Sequence, residues 1–152
     1  MQEEKYGHRD LIYSAWHRRG STRRFIGLEK AQLLAMVDLD VSLWLEYDDG
    51  TKDTLALVET AQDVGQSIKP ATVLLKLAKR IHPVVPAYIC LYTPSVALNP
   101  ADSRWPDIEK FRCKRLWPFP ENVYTEYSPR EWAEKLLKMR EWSASQLDKE
   151  VA

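Results

Sequence analysis

Between Val41 and Glu59 the chain is built to fold back on itself. Val41, Leu43 and Leu45 alternate with Ser42, Trp44 and Glu46, the two-residue period of a strand with unlike faces. Asp48-Asp49-Gly50 follows, and Asp and Gly both tolerate the positive φ that a tight turn demands. The return run Thr54-Leu55-Ala56-Leu57-Val58 is almost wholly apolar, as expected of a central strand covered on both faces. Glu59 closes that run. A carboxylate set directly after a buried strand needs a hydrogen-bond partner, a metal or solvent.

The flanking sequence builds an α/β fold around this hairpin. Leu11, Ile12, Ala15 and Trp16 draw an apolar stripe along a helix over His8–Arg18, and a second helix is expected over Glu29–Met36, after a break at Gly20 and Ser21. Beyond the hairpin, a polar connection through Gln62 and Gln66 leads to Pro70, a plausible first helical position, with Val73, Leu74 and Leu77 facing inward. Ala87–Tyr92 reads as a buried strand, so strand, helix and strand in succession imply a crossover and parallel pairing. Thr93–Asp107, with Pro94, Pro100 and Pro106, is expected to be an irregular surface connection, and Phe111–Trp117 an edge strand guarded by its own cations. Ser128-Pro129-Arg130-Glu131 is a capping box, and Trp132, Leu136, Met139 and Trp142 then repeat at helical spacing to about Ser145. The expectation is one domain over residues 1–152 with a mixed central sheet, a core over about 30–117 and a C-terminal helix over about 129–145.

Charge and composition remove several functional classes. Lys plus Arg and Asp plus Glu number 22 each, so no global field draws the chain onto nucleic acid, and such binding needs a local patch. Arg18, Arg19, Arg23 and Arg24 supply one. No apolar run approaches the ~18 residues of a membrane span, and the charged start, Met1-Gln2-Glu3-Glu4-Lys5, lacks the apolar stretch of a secretory signal, so a cytoplasmic location is expected. Cys90 and Cys113 have no metal-binding spacing and read as small buried hydrophobes. Glycine-rich phosphate loops and nucleophile elbows are absent. Six tryptophans and seven tyrosines favour an interaction surface in addition to an interior, with core packing expected for most of the tryptophans.

The order of helix, acidic residue, hairpin, Glu at the end of the central strand, helix and strand resembles the PD-(D/E)xK nuclease superfamily, which includes restriction endonucleases, archaeal-type Holliday junction resolvases and the VRR-Nuc group. The resemblance covers roughly residues 30–117 and rests on short motifs. It implies a restriction-endonuclease-like sheet and a Mg²⁺ or Mn²⁺ site. Asp38 or Asp40 matches the first carboxylate, and Glu59, in Leu57-Val58-Glu59-Thr60-Ala61-Gln62, matches the second. Ala61 stands where the family has its lysine, so Gln62, Lys69 or Lys52 is left to position the attacking water. Gln66 resembles a glutamine that some members carry on the following helix. The arginines would hold backbone phosphate, of DNA in the first instance.

Each residue also has a structural reading. Asp38 and Asp40 suit a turn or a cap, Lys69 or Arg112 can satisfy Glu59, and an arginine cluster is commonly a solvated loop. These, with Ala61 and the balanced charge, define the alternative: a non-catalytic interaction or accessory protein of a phage or mobile element that retains a nuclease-like fold. A protein partner, or a homodimer through an exposed Trp132 or Trp142 on the last helix, belongs to that alternative.

Overall fold

The structure is a computed structural model and describes residues 12, 16, 22–34, 39–66 and 71–151. Two compact units divide the chain, Met1–Asp38 and Leu39–Ala152. In the first, helix α1 spans Thr22–Ala31, so it starts within the arginine cluster, earlier than the helix expected over Glu29–Met36. Gly27, at φ 81°, interrupts it. After Ala31 the chain tightens into i→i+3 bonds, Leu33 N–H to the Lys30 carbonyl and Leu34 N–H to that of Ala31. Most of the helix expected over His8–Arg18 lies outside the described residues; Ile12 and Trp16 are helical.

The second unit holds a mixed sheet of five strands in the order β1-β2-β3-β4-β5. β1 (Val41–Glu46) and β2 (Lys52–Gln62) form the antiparallel hairpin, paired Val41 to Val58 and Glu46 to Lys52. Gly50, at φ 84°, makes the turn. Asp49 locks it by accepting hydrogen bonds from the Thr51 N–H and hydroxyl at 2.9 and 2.6 Å. Those bonds also hold the Asp49 carboxyl below its ordinary pKa. β3 (Ala87–Asn99) runs parallel to β2, as the crossover requires, and helix α2 (Thr72–Lys79) connects them.

The proline-rich segment is strand, contrary to the sequence expectation. β3 and β4 (Asp102–Trp117) form one long antiparallel hairpin that turns at Pro100 and Ala101. Proline cannot donate to a ladder, and this hairpin accommodates it at irregularities: the register shifts beside Pro94 and again around Leu98, the partner of Pro106. β4 is not an edge over its whole length either, because β5 (Thr125–Tyr127) covers Phe111–Cys113.

Alternation decides what covers each face. Ala56, Val58, Tyr88, Cys90 and Cys113 turn toward helix α3 (Pro129–Val151) and cluster with Trp132 and Met139. Leu57 and Ala87 turn the other way, toward Leu74 and Ala78 of α2. The sheet is therefore sandwiched between two helices. The capping box is made as expected, Glu131 N–H to the Ser128 hydroxyl at 3.1 Å and Ser128 N–H to the Glu131 carboxylate at 3.0 Å, and α3 continues past Ser145. Trp132 is the hub of its face, with the rings of Tyr88, Phe111 and Tyr127 within 5.6–6.1 Å. Burial of most tryptophans is not observed: Trp132 is buried, whereas Trp44, Trp105 and Trp142 are exposed. Burial also removes Trp132 as a dimer contact. Cys90 and Cys113 face each other across β3 and β4 as buried thiols, Sγ to Sγ 2.7 Å. Among the described residues no helix is long and apolar enough to cross a membrane.

Candidate functional site

The hairpin brings two of the expected residues to one place. Extending the β1/β2 register one residue beyond the Val41–Val58 pair sets Asp40 opposite Glu59. The Asp40 carboxylate accepts a hydrogen bond from the Thr60 N–H at 3.0 Å, which fixes it against the end of the central strand. Glu59 is half-buried there. Asp38 and Lys69 lie outside the described residues, as do Arg18 and Arg19. Among the described residues no group of three or more His, Cys, Asp or Glu side chains is arranged to hold a metal ion. Arg23 and Arg24 are exposed on α1 of the first unit, the Arg24 guanidinium 5.0 Å from the Phe25 ring centre.

Strand alternation sorts the groups proposed to replace the lysine. Glu59 and Ala61 share the Leu57 face, on the α2 side, whereas Gln62 belongs with Val58 on the α3 side. A site built on Glu59 therefore has Gln62 on the far side of the strand. Lys52 is at the opposite end of β2; seven residues at ~3.3 Å each place it about 23 Å from Glu59, too far to serve. Gln66 is absorbed by the loop after β2, accepting from the Val64 N–H at 2.7 Å and donating to the Gln62 carbonyl at 3.2 Å.

The pairing supplies cations that no local motif indicated. Ile89 pairs with Glu59 on one side and with Lys114 on the other, so Glu59, Ile89 and Lys114 form one row across three strands and share a face. Two strand spacings of ~4.8 Å separate the outer pair, about 10 Å between backbones, within the combined reach of a glutamate and a lysine side chain. The next row is Ala61, Leu91 and Arg112. Arg112 is committed: Nε and Nη2 donate to the Asp63 carboxylate at 2.9 Å each, and Nη2 also to the Gln66 carbonyl at 2.9 Å. The Arg112 fork, with help from the Gly65 N–H, holds the Asp63 carboxyl down at about 2. Tyr124 lies under both cations, its ring centre 4.5 Å from the Arg112 guanidinium and 4.8 Å from the Lys114 ammonium.

The alternation of Lys110, Arg112 and Lys114 is the sequence signal from which a one-sided basic row could have been read, although the segment was expected only to be an edge strand. Which residues they would oppose depended on pairings with strands distant along the chain. No protein-family model, curated protein or solved structure matches the chain.

Proposed function

We propose that the chain binds nucleic acid, DNA in the first instance, through a PD-(D/E)xK-like core and hydrolyses a phosphodiester with Mg²⁺ or Mn²⁺. The reading rests on the bond from the Thr60 N–H to Asp40, which sets the first carboxylate of the hairpin beside Glu59 at the end of the central strand. The succession of hairpin, helix α2 and parallel strand β3 supports it, since this is the order of a restriction-endonuclease-like core.

The donor chemistry fits such a cation: hard carboxylate oxygens from Asp40 and Glu59, with the remaining places left to water and phosphate. Bound there, the ion supplies an activated water at neutral pH. The protein's own side chains orient the substrate. With Ala61 in the lysine position, charge on the scissile phosphate falls to Lys114, in the Glu59 row, or to Lys69. Arg112 is closed on Asp63 and acts as a brace that keeps β4 against the end of β2. Arg18, Arg19, Arg23 and Arg24 supply sequence-independent phosphate contacts.

The test is cleavage of single-stranded, duplex and branched DNA with Mg²⁺ or Mn²⁺, run beside Glu59→Ala and Lys114→Met. The expected outcome is metal-dependent cleavage lost at least 100-fold in Glu59→Ala, a large effect of the kind seen when a charge-stabilising group is removed. Cleavage that survives Glu59→Ala, or none on any substrate, overturns it. One observation favours the second reading, a binding module without chemistry: Ala61 offers neither charge nor donor, and the nearest described replacement must reach across β3. Retained DNA binding without cleavage is its signature.

A further inference from the structure

On the opposite face of the sheet a cavity of about 240 Å³ opens between α3 and the paired ends of β3 and β4. Tyr88 and Met139, both buried, form part of its lining. Arg115, Lys135 and Lys138 also line it, and none of the lining residues is a carboxylate. Phe119 and Trp142 line it too and are 76 % and 38 % exposed. A cleft of this composition is electropositive and presents two exposed aromatic rings, while the Lys135 ammonium sits 5.8 Å from the centre of the third, Tyr88. Nothing in the hairpin site uses it.

The arrangement is fixed by the chain. Lys135, Lys138, Met139 and Trp142 follow i, i+3, i+4 and i+7 spacing, one stripe of α3. The Arg115 guanidinium donates to the Phe119 carbonyl at 3.0 Å and to the Tyr88 hydroxyl at 3.3 Å. Phe119 is held at φ 55°, in the left-handed region that disfavours non-glycine residues. Glu121 secures the same turn, its carboxylate accepting from the Arg115 N–H at 2.7 Å and its N–H donating to the Arg115 carbonyl at 2.9 Å. Glu131, one turn before Lys135, is held by the Ser128 N–H.

We infer that this cleft binds one nucleotide unit, its base stacked on Phe119 or Trp142 and its phosphate between Arg115, Lys135 and Lys138. Stacking on aromatic side chains combined with cations that follow the phosphate is the general mode for unpaired nucleotides. The volume is below the ~300–1,000 Å³ of drug-sized pockets, which leaves room for one nucleotide unit at most. A free nucleotide and the end of a single strand present the same chemistry. The inference does not rest on the hairpin site, which lies on the α2 face.

The experiment is calorimetric titration of the full chain with adenosine monophosphate, an oligodeoxyadenylate, adenosine and inorganic phosphate. Binding of the first two, with adenosine and phosphate each at least tenfold weaker, is the expected result. An oligonucleotide tenfold tighter than the mononucleotide identifies a strand as the source, and equal affinities identify the free nucleotide. Phe119→Gly and Lys138→Gln should each weaken binding at least tenfold. The first removes the ring where glycine is favoured by the backbone, so a folding defect is not its explanation, and both variants leave the hairpin face intact. Absence of binding at millimolar concentration, phosphate equal to the nucleotide, or affinity unchanged in both variants overturns the inference.

Discussion

Replacing Asp63 with Asn should destabilise the second unit by about 2 kcal/mol near neutral pH and by much less in acid. Asp63 accepts two charge-assisted bonds from Arg112 at 2.9 Å, and its side chain is 13 % exposed. Its folded carboxyl titrates at about 2 against an ordinary 3.8. That difference, near two pH units at ~1.36 kcal/mol each, gives ~2 kcal/mol after a small discount for solvent. The folded value is the lower one, so the stabilisation is complete above the unfolded value and fades as pH falls from about 4 toward about 2. Asparagine keeps one acceptor, for the Gly65 N–H, but loses the charge and turns an amide NH2 toward the Arg112 Nε. Urea unfolding of both proteins at constant ionic strength, at about pH 7, 5 and 2.5, measures the difference directly. It should shrink to less than about 1 kcal/mol at the lowest pH. A difference that stays constant over the series refutes the Arg112–Asp63 brace as an electrostatic element.

Three further outcomes follow from local structure. Ser128→Ala should lower stability by about 1 kcal/mol in the same unfolding assay, because it removes the acceptor for the Glu131 N–H at the start of α3. Gly50→Ala should cost about 1–2 kcal/mol from backbone conformation alone, since Gly50 is at φ 84° and a Cβ there meets nothing within 4 Å; thermal unfolding reads it. Cys90 and Cys113 should resist thiol reagents until the protein unfolds, because both are buried and mutual hydrogen bonding and burial push the Cys113 thiol far above its usual range. Labelling followed by mass spectrometry in increasing urea should show modification only across the unfolding transition.

What was legible in the sequence is what local chemistry dictates. Asp49-Gly50 can only turn, Leu55–Val58 can only be covered on both faces, and Ser128 with Glu131 can only cap; all three stand in the structure. The misread segments are those where distant pairing overrides local preference. Pro94 and Pro106 looked like loop residues, yet opposing bulges let β3 and β4 run on past them. The boundary at Gly20 and Ser21 moved the second helix too far along the chain, and Gly27 proved to be the interruption. The tryptophans were assigned largely to a core that holds Trp132.

The candidate site divides in the same way. Asp40 and Glu59 could be named because both flank the hairpin, but not aligned, since the register set by the turn shifts by one residue between Leu43 and Trp44. The Glu59–Ile89–Lys114 row could not, since it needs one parallel and one antiparallel pairing, each with its own register. Likewise, helical spacing relates the four cleft residues of α3 to one another, but no sequence spacing relates them to Tyr88, Arg115 and Phe119.

Crystals soaked in Mn²⁺ and measured at the manganese edge test the central claim most directly. The account predicts an anomalous peak bonded to the carboxylates of Asp40 and Glu59 and abolished in Glu59→Ala. No peak there, with the two carboxylates bonded only to protein groups, contradicts the nuclease reading and leaves a binding module.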